Sequence, residues 1–175
     1  MRIDDRGLLC LGIDPGLGRT GYGLVHQRGN RLVSLGFGCI ETSPKLSLSE
    51  RLLTLDERLE ELFQRSDLHL VAVEQLFFGR NTTTAAMVWQ ARGVVLLAAA
   101  RSKLPLVEPK PSEVKLAVCG HGRADKEQVQ GMVQRLLGLE MPPRPDDAAD
   151  ALAVAIAALA IMRLERPIDG GGRFC

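Results

Sequence analysis

Short apolar runs separated by turn residues dominate the first part of the chain. Residues 8–13 form an apolar run that stops at Asp14, and apolar segments at 22–26 and 32–40 flank a polar turn at 27–30. Apolar runs of about four to eight residues bounded by turn signals are typical of strands. We predict three strands here with antiparallel neighbours, and we place Asp14 at the end of a central strand.

Helical periodicity and apolar runs alternate through the rest of the chain. Leucines recur at helical spacing between 52 and 62 and mark the buried face of a helix. Ser47 or Ser49 can cap this helix, which runs to about residue 65. Further helices are predicted at about 82–102, 111–118, 126–137 and 147–163, and further strands at 68–73 and 104–107. This order of elements predicts an α/β fold, with a five-stranded mixed sheet flanked by helices.

The helix predicted over 82–102 is apolar on nearly all sides. A helix without a polar face is buried on both sides. In a domain of this size the second side can be another subunit, and we therefore predict a homodimer formed through this helix. Trp89, the only tryptophan, lies in the middle of the helix and suits core or dimer packing.

The composition is that of a soluble globular protein. Of the 175 residues, 46% are hydrophobic and 25% charged; we expect one domain over 1–165 and a flexible tail at 166–175. No apolar run is long enough to span a membrane, and the polar N-terminus does not resemble a signal peptide. A net charge of +1 neither supports nor excludes a nucleic-acid partner. We expect free thiols and a cytoplasmic location from four widely spaced cysteines: Cys10, Cys39, Cys119 and Cys175.

Acidic residues stand at the ends of two predicted strands and at the start of the last helix. Asp14 and Glu74 each follow an apolar run, while Asp147 and Asp150 are three positions apart and share one helix face. Each feature also has an ordinary structural explanation. Asp14 belongs to an Asp-Pro-Gly turn, and acidic residues in a first helical turn, Asp146 included, act as caps and suit the helix dipole.

Three separate segments thus deliver carboxylates that one edge of a sheet could gather. Gathered carboxylates raise one another's pKa unless a counter-charge is present. A hard divalent cation such as Mg²⁺ supplies that charge and prefers oxygen ligands, and two such ions about 4 Å apart promote phosphoryl displacement. We therefore predict a site for two Mg²⁺ ions, which Mn²⁺ can replace. No Walker A motif is present, because the spacing of Gly12 and Gly18 is wrong and Arg19 stands where that motif has lysine.

Several short motifs occur in the order and spacing of a known family. They are GIDPG at 12–16, TGYG at 20–23, EQLF at 74–77, QARG at 90–93, VK at 114–115, KEQV at 126–129 and DAADALA at 147–153. Together they resemble the motifs of RuvC-type Holliday junction resolvases, over about residues 8–162. The resemblance implies a ribonuclease H-like fold and a homodimer that uses divalent metal to cut two strands of four-way DNA junctions symmetrically. It also implies a branch-migration helicase as partner.

Carried over position by position, the resemblance assigns the catalytic and metal-binding carboxylates to Asp14, Glu74, Asp147 and Asp150. Asp146 matches no family carboxylate, because the family motif has two alanines between its two aspartates, and this spacing fits Asp147 and Asp150. Asp14 would bridge both metal ions, with Glu74 on one side and the two helix carboxylates on the other.

The resemblance also assigns residues to the DNA. Lys115 and Lys126 match basic residues that contact DNA near the site, and both are catalytic candidates because a lysine near the scissile phosphate stabilises developing negative charge. Phe77 matches an aromatic residue that family members push into the base stack of the junction. The ordinary alternatives are a core position for Phe77 or Phe78 and a solvated position for either lysine.

Four more residues are candidates for contacts to the DNA backbone. Arg80 and Asn81 closely follow the aromatic residue, and His121 and Arg123 lie in a glycine-rich loop between two predicted helices. The surrounding segment, 101–135, carries seven basic and four acidic residues, which gives a local charge of +3.

Two other functions compete with the nuclease. Asp-x-Gly with a downstream Thr-Gly also opens the nucleotide-binding domain of sugar kinases and actin-like ATPases, but that superfamily needs two such domains and 175 residues hold only one. The other alternative is a catalytically silent DNA-binding homologue. The presence of all four carboxylates argues against a silent protein.

Overall fold

A five-stranded mixed sheet is the centre of the computed structural model, which describes residues 7–65, 67–76 and 82–164 (the backbone alone at 82–84). Its strands are β1 (Leu8–Asp14), β2 (Arg19–Arg28), β3 (Arg31–Glu41), β4 (Leu70–Val73) and β5 (Leu106–Val107). They lie in the order β3-β2-β1-β4-β5. The pairs β1–β2 and β2–β3 are antiparallel, whereas β1–β4 and β4–β5 are parallel. The predicted fold, with β1 in the middle of the sheet, is confirmed.

Helices cover both faces of this sheet. Those within the described ranges are α1 (Leu48–Phe63), α2 (Thr82–Ser102), α3 (Pro111–Cys119), α4 (Lys126–Leu137) and α5 (Asp146–Leu164). Successive residues of β1 point to opposite faces: Leu8 and Cys10 join a core with α3, α4 and α5, whereas Leu9 and Leu11 join a core with α1 and α2. In the described part of the chain, no helix combines the length and the apolar character needed to cross a membrane.

Several strand boundaries differ from the predicted ones, and β4 begins at Leu70, two residues later than predicted. β2 begins at Arg19, three residues earlier than predicted, because Thr20 and Gly21 pair with β3 although they are not part of an apolar run. β5 is only two residues long. The thiols of Cys10, Cys39 and Cys119 are free, as expected. Cys175 and the predicted tail at 166–175 lie outside the described residues.

α5 lies in close backbone contact with β1 and β2, because glycines on these strands leave room for it. A Cβ atom at Gly12 would lie 2.1 Å from the carbonyl oxygen of Ala151, and one at Gly21 would lie 1.9 Å from that of Asp147. Gly21 is also the residue of β2 that pairs with Asp14 of β1. This packing therefore fixes the acidic first turns of α5 beside the end of β1.

Replacement of Gly21 by alanine tests this packing. G21A should lower the free energy of unfolding by about 1–3 kcal/mol or more, because the added methyl group collides with the backbone of α5. A matched control is G131A in α4, where an added Cβ meets no atom within 4 Å. The free energy of unfolding of G131A should be about 0.5–1 kcal/mol higher than that of the parent, because alanine has a higher helix propensity than glycine. Urea unfolding followed by circular dichroism measures both, and a G21A protein as stable as the parent would contradict the packing.

Candidate active site

Asp14 and Glu74 emerge side by side at one edge of the sheet. Asp14 is the last residue of β1, Glu74 directly follows β4, and these parallel strands place Ile13 opposite Val73. The apolar runs predicted both strand ends, and the parallel pairing brings the two carboxylates together.

The first turns of α5 bring two more carboxylates, Asp147 and Asp150, to the same edge. Their close approach follows from the glycine contacts between α5 and the strands. A cleft of about 280 Å³ opens here, and its polar lining residues are Asp14, Glu74, Lys115, Lys126 and Asp150. Residues from five elements, two strand ends and three helices, thus share one small, strongly charged space.

Burial and the charges of neighbouring carboxylates raise the pKa of Asp14. Burial is the largest cause of a rise in this pKa from the ordinary 3.8 to about 7. The charges of Asp150, Glu74 and Asp147 raise it further, and Lys126 offsets only part of the effect. Near neutral pH the site therefore holds a carboxylate that takes up a proton readily and would be stabilised by a cation.

The neighbouring carboxylates are shifted in the same direction. Burial, followed by the charge of Asp150, raises the pKa of Glu74 against the opposing effect of Lys115. Burial also raises the pKa of Asp150, although Lys126 acts to lower it. The two cleft lysines thus balance only part of the negative charge.

Two cationic side chains hold the carboxylates of α5. The Nη1 atom of Arg19 lies 3.3 Å from Oδ2 of Asp147, and the Nζ atom of Lys126 lies 3.2 Å from Oδ2 of Asp150. Lys126 also lies 3.6 Å from Oδ2 of Asp146, which gives this third aspartate a place beside the site. Sequence reasoning considered Arg19 only as part of a phosphate-binding motif and missed this contact. The available signal was its position on the strand antiparallel to β1, two residues before the partner of Asp14.

The donor set suits a hard divalent cation, because it consists of carboxylate oxygens. Within the described ranges, no group of three or more His, Cys, Asp or Glu side chains stands close enough to coordinate one ion as placed. Asp147 and Asp150 instead contact Arg19 and Lys126. Binding of a metal ion by these carboxylates therefore requires a different arrangement of their side chains.

Arg92 of α2 anchors the segment that carries Glu74. This arginine is buried, its Nε atom donates to the carbonyl oxygen of Glu74 at 3.4 Å, and its guanidinium forms an ion pair with Glu108. It also lies 5.8 Å from the ring centroid of Trp89, a half-buried residue of the same helix. Sequence reasoning placed Arg92 in a motif but gave it no role.

The predicted DNA-binding residues are placed in part. Lys115 on α3 and Lys126 at the start of α4 both line the cleft. His121 and Arg123 are exposed in the loop that joins these two helices. Phe77, Arg80 and Asn81 lie outside the described residues, as does Phe78. Their predicted roles remain predictions.

Comparisons with known proteins point to one family. A family model described as crossover junction endodeoxyribonuclease RuvC matches residues 10–158. The RuvC of Desulfitobacterium hafniense is 55% identical over 149 residues, which cover 85% of this chain and 90% of the relative. The Thermus thermophilus RuvC structure has a TM-score of 0.83 and 38% identity, over 90% of this chain and 96% of that one.

A second solved structure contains the substrate. T. thermophilus RuvC in complex with a Holliday junction substrate has a TM-score of 0.85 at 38% identity, with the same coverage of 90% and 96%. These matches confirm the resemblance noted in the sequence and decide against a sugar kinase or an actin-like ATPase. The chain belongs to the RuvC family of crossover junction endodeoxyribonucleases.

Proposed function

We infer that the chain resolves four-way (Holliday) DNA junctions in recombination and repair, as an endodeoxyribonuclease that hydrolyses phosphodiester bonds with divalent metal. The observation that carries this inference is the convergence of Asp14, Glu74 and Asp150 with two lysines in one cleft, beside the charge of Asp147. The complex of T. thermophilus RuvC with a junction supports the substrate. The metal we propose is Mg²⁺, with two ions per site and Mn²⁺ as a substitute.

The carboxylates would hold the metal, and Asp14 is the central one. Its pKa is raised by the charges of Asp150, Glu74 and Asp147, so it interacts with all three of the other carboxylates. Bound metal would supply Lewis acidity for activating water and stabilising the leaving oxygen. The role of the chain is to gather the oxygen ligands on a rigid sheet edge and a packed helix.

The lysines would bind and position the DNA. Lys115 and Lys126 line the same cleft as the carboxylates, so a phosphate brought to the metal ligands also meets these ammonium groups. They neutralise phosphate charge, which makes binding depend on salt, and they stabilise the negative charge that grows on the phosphate in the transition state.

A homodimer formed through α2 would place two such sites on one junction. α2 is buried on one side only, through Ala91, Val95 and Ala98 among others. The chain itself therefore covers one side of the helix, and the side predicted to meet another subunit is exposed. The outward side remains largely apolar, with Met87 and Leu97 exposed to 42% and 49%, and it continues through Ala86, Gln90, Gly93 and Ala100. A two-fold axis at this stripe would relate the two sites and allow paired symmetric cuts. The branch-migration helicase partner and the cytoplasmic location remain predictions.

Cleavage of a labelled mobile four-way junction and of linear duplex of the same sequence tests the function. We expect paired symmetric cuts in the junction alone, with Mg²⁺ or Mn²⁺ and not with chelator. D14N should lose cleavage and retain junction binding, because it removes a metal ligand and no phosphate contact. D67N is the matched control, because Asp67 pairs with Arg65 in the segment that precedes β4, away from the strand ends that carry the site. Equal cutting of duplex would refute junction selectivity, and cleavage by D14N would refute the metal assignment.

The oligomeric state tests the α2 interface. The parent should sediment as a dimer at micromolar concentration, and L97E should sediment as a monomer, because the substitution buries a charge in an apolar contact. L116E is the control, since Leu116 is 57% exposed on α3 and away from this stripe. A parent protein that sediments as a monomer would contradict the proposal.

The pKa of Asp14 predicts how stability depends on pH. Because this pKa rises from 3.8 to about 7 on folding, protonated Asp14 favours the folded state, and its contribution is lost as pH rises through about 7. The free energy of unfolding in chelator should therefore fall between pH 5 and 7, by at most about 1.4 kcal/mol per pH unit from this group. D14N should show a smaller slope than the parent in urea titrations. Equal slopes would mean that Asp14 is not buried among like charges.

A further inference from the structure

The cations that contact Asp147 and Asp150 of α5 each also contact a second carboxylate. Arg19 joins Asp147 through Nη1 at 3.3 Å and Glu41 through Nε at 3.2 Å. Lys126 joins Asp150 at 3.2 Å and Asp146 at 3.6 Å. Asp147 and Asp150, the proposed metal ligands of α5, are thus each paired with a cationic side chain that also contacts another carboxylate.

The contact of Arg19 with Glu41 is built into the sheet. Arg19 begins β2, Glu41 ends β3, and the two residues are directly opposite each other in the antiparallel register. Their backbones are therefore fixed within reach, as in other cross-strand charge pairs. Both side chains are exposed, to 48% and 67%, which leaves the guanidinium free to shift between the two carboxylates.

The contact of Arg19 with Asp147 competes with a metal ion. The guanidinium donates to Oδ2 of Asp147, an oxygen that a divalent cation at this residue would also use. Surface ion pairs contribute at most about 1 kcal/mol, so a divalent ion held by several carboxylates can displace the guanidinium. After displacement, the guanidinium of Arg19 still repels the metal ion if it stays close to the site. The distance between the guanidinium and the metal ion depends on the second partner of Arg19.

We propose that Arg19 is a positioning residue that competes with divalent metal for Asp147, and that Glu41 retains the displaced guanidinium beside the site. This inference rests on the proposed function, because it assumes that metal binds Asp147. Arg19 sets the metal concentration at which Asp147 becomes a ligand. Glu41 lowers that concentration by offering the guanidinium an alternative partner.

The proposal makes opposite predictions for the two residues. R19A should bind metal about 2- to 5-fold more tightly, since an exposed ion pair of this kind contributes at most about 1 kcal/mol. E41Q should bind metal more weakly, because Arg19 then has only Asp147 as a charged partner. The double variant R19A/E41Q should match R19A, because Glu41 acts through the arginine.

Direct titration of the full-length protein with Mn²⁺ measures these affinities. Free Mn²⁺ is followed by electron paramagnetic resonance at pH 8, without DNA, after dialysis against chelator and then buffer. R65A and D67N are matched controls, because Arg65 and Asp67 form an exposed ion pair at 2.8 Å outside the site. Both should bind Mn²⁺ as the parent does.

The outcomes separate this inference from the proposed function. If D14N binds Mn²⁺ as tightly as the parent, the proposed metal site itself fails. If D14N loses binding while R19A resembles R65A, only the role of Arg19 is overturned. If E41Q weakens binding equally with and without Arg19, Glu41 acts on the metal directly and the proposed retention is wrong.

Discussion

The backbone contact between α5 and the two central strands determines the geometry of the site. Glycines at 12 and 21 let the helix approach so closely that a Cβ atom at either position would lie about 2 Å from a helix carbonyl oxygen. On the helix, every residue from Ala148 to Leu159 except Asp150 is buried. The acidic first turns of α5 are therefore carried to the strand ends by apolar packing, which supplies stability in proportion to the area buried.

This packing holds together charges that repel one another. The pKa of Asp14 is raised to about 7, by burial and by three neighbouring carboxylates, so the fold bears an electrostatic cost at this point. Such a cost is typical of a functional site, where the surrounding structure compensates for local strain. Arg19, Lys115 and Lys126 reduce the cost without removing it.

The sequence alone predicts the parts of this structure that depend on local patterns. Apolar runs located β1 and β4, and therefore placed Asp14 and Glu74 at strand ends, because a buried strand is marked by its own residues. Helical spacing placed Asp147 and Asp150 on one face. Together with the family resemblance, these local signals predicted four carboxylates and two lysines as site residues, and all of these except Asp147 line one cleft in the structure.

Contacts that depend on register or on long-range packing could not be predicted in this way. The Arg19–Glu41 pair follows from the alignment of β2 with β3, and the Arg92–Glu108 pair joins a helix to the residue after β5. The apolar composition of α2 predicted two buried sides, one of them against another subunit, but which side the chain itself covers depends on the neighbours that the helix meets. Such partners are set by the tertiary fold.

The position of Lys126 shows that the site outweighs local helix preferences. Lys126 is the first residue of α4, where the helix dipole disfavours a positive charge. Asp125 caps the same helix through a reciprocal pair of hydrogen bonds with Gln128, at 2.8 and 3.0 Å. The cap fixes where the helix starts and therefore where Lys126 stands. Burial acts to lower the pKa of Lys126, but Asp150 and Asp146 outweigh it and raise the pKa. The carboxylates of α5 thus offset the unfavourable helix dipole at the position of Lys126.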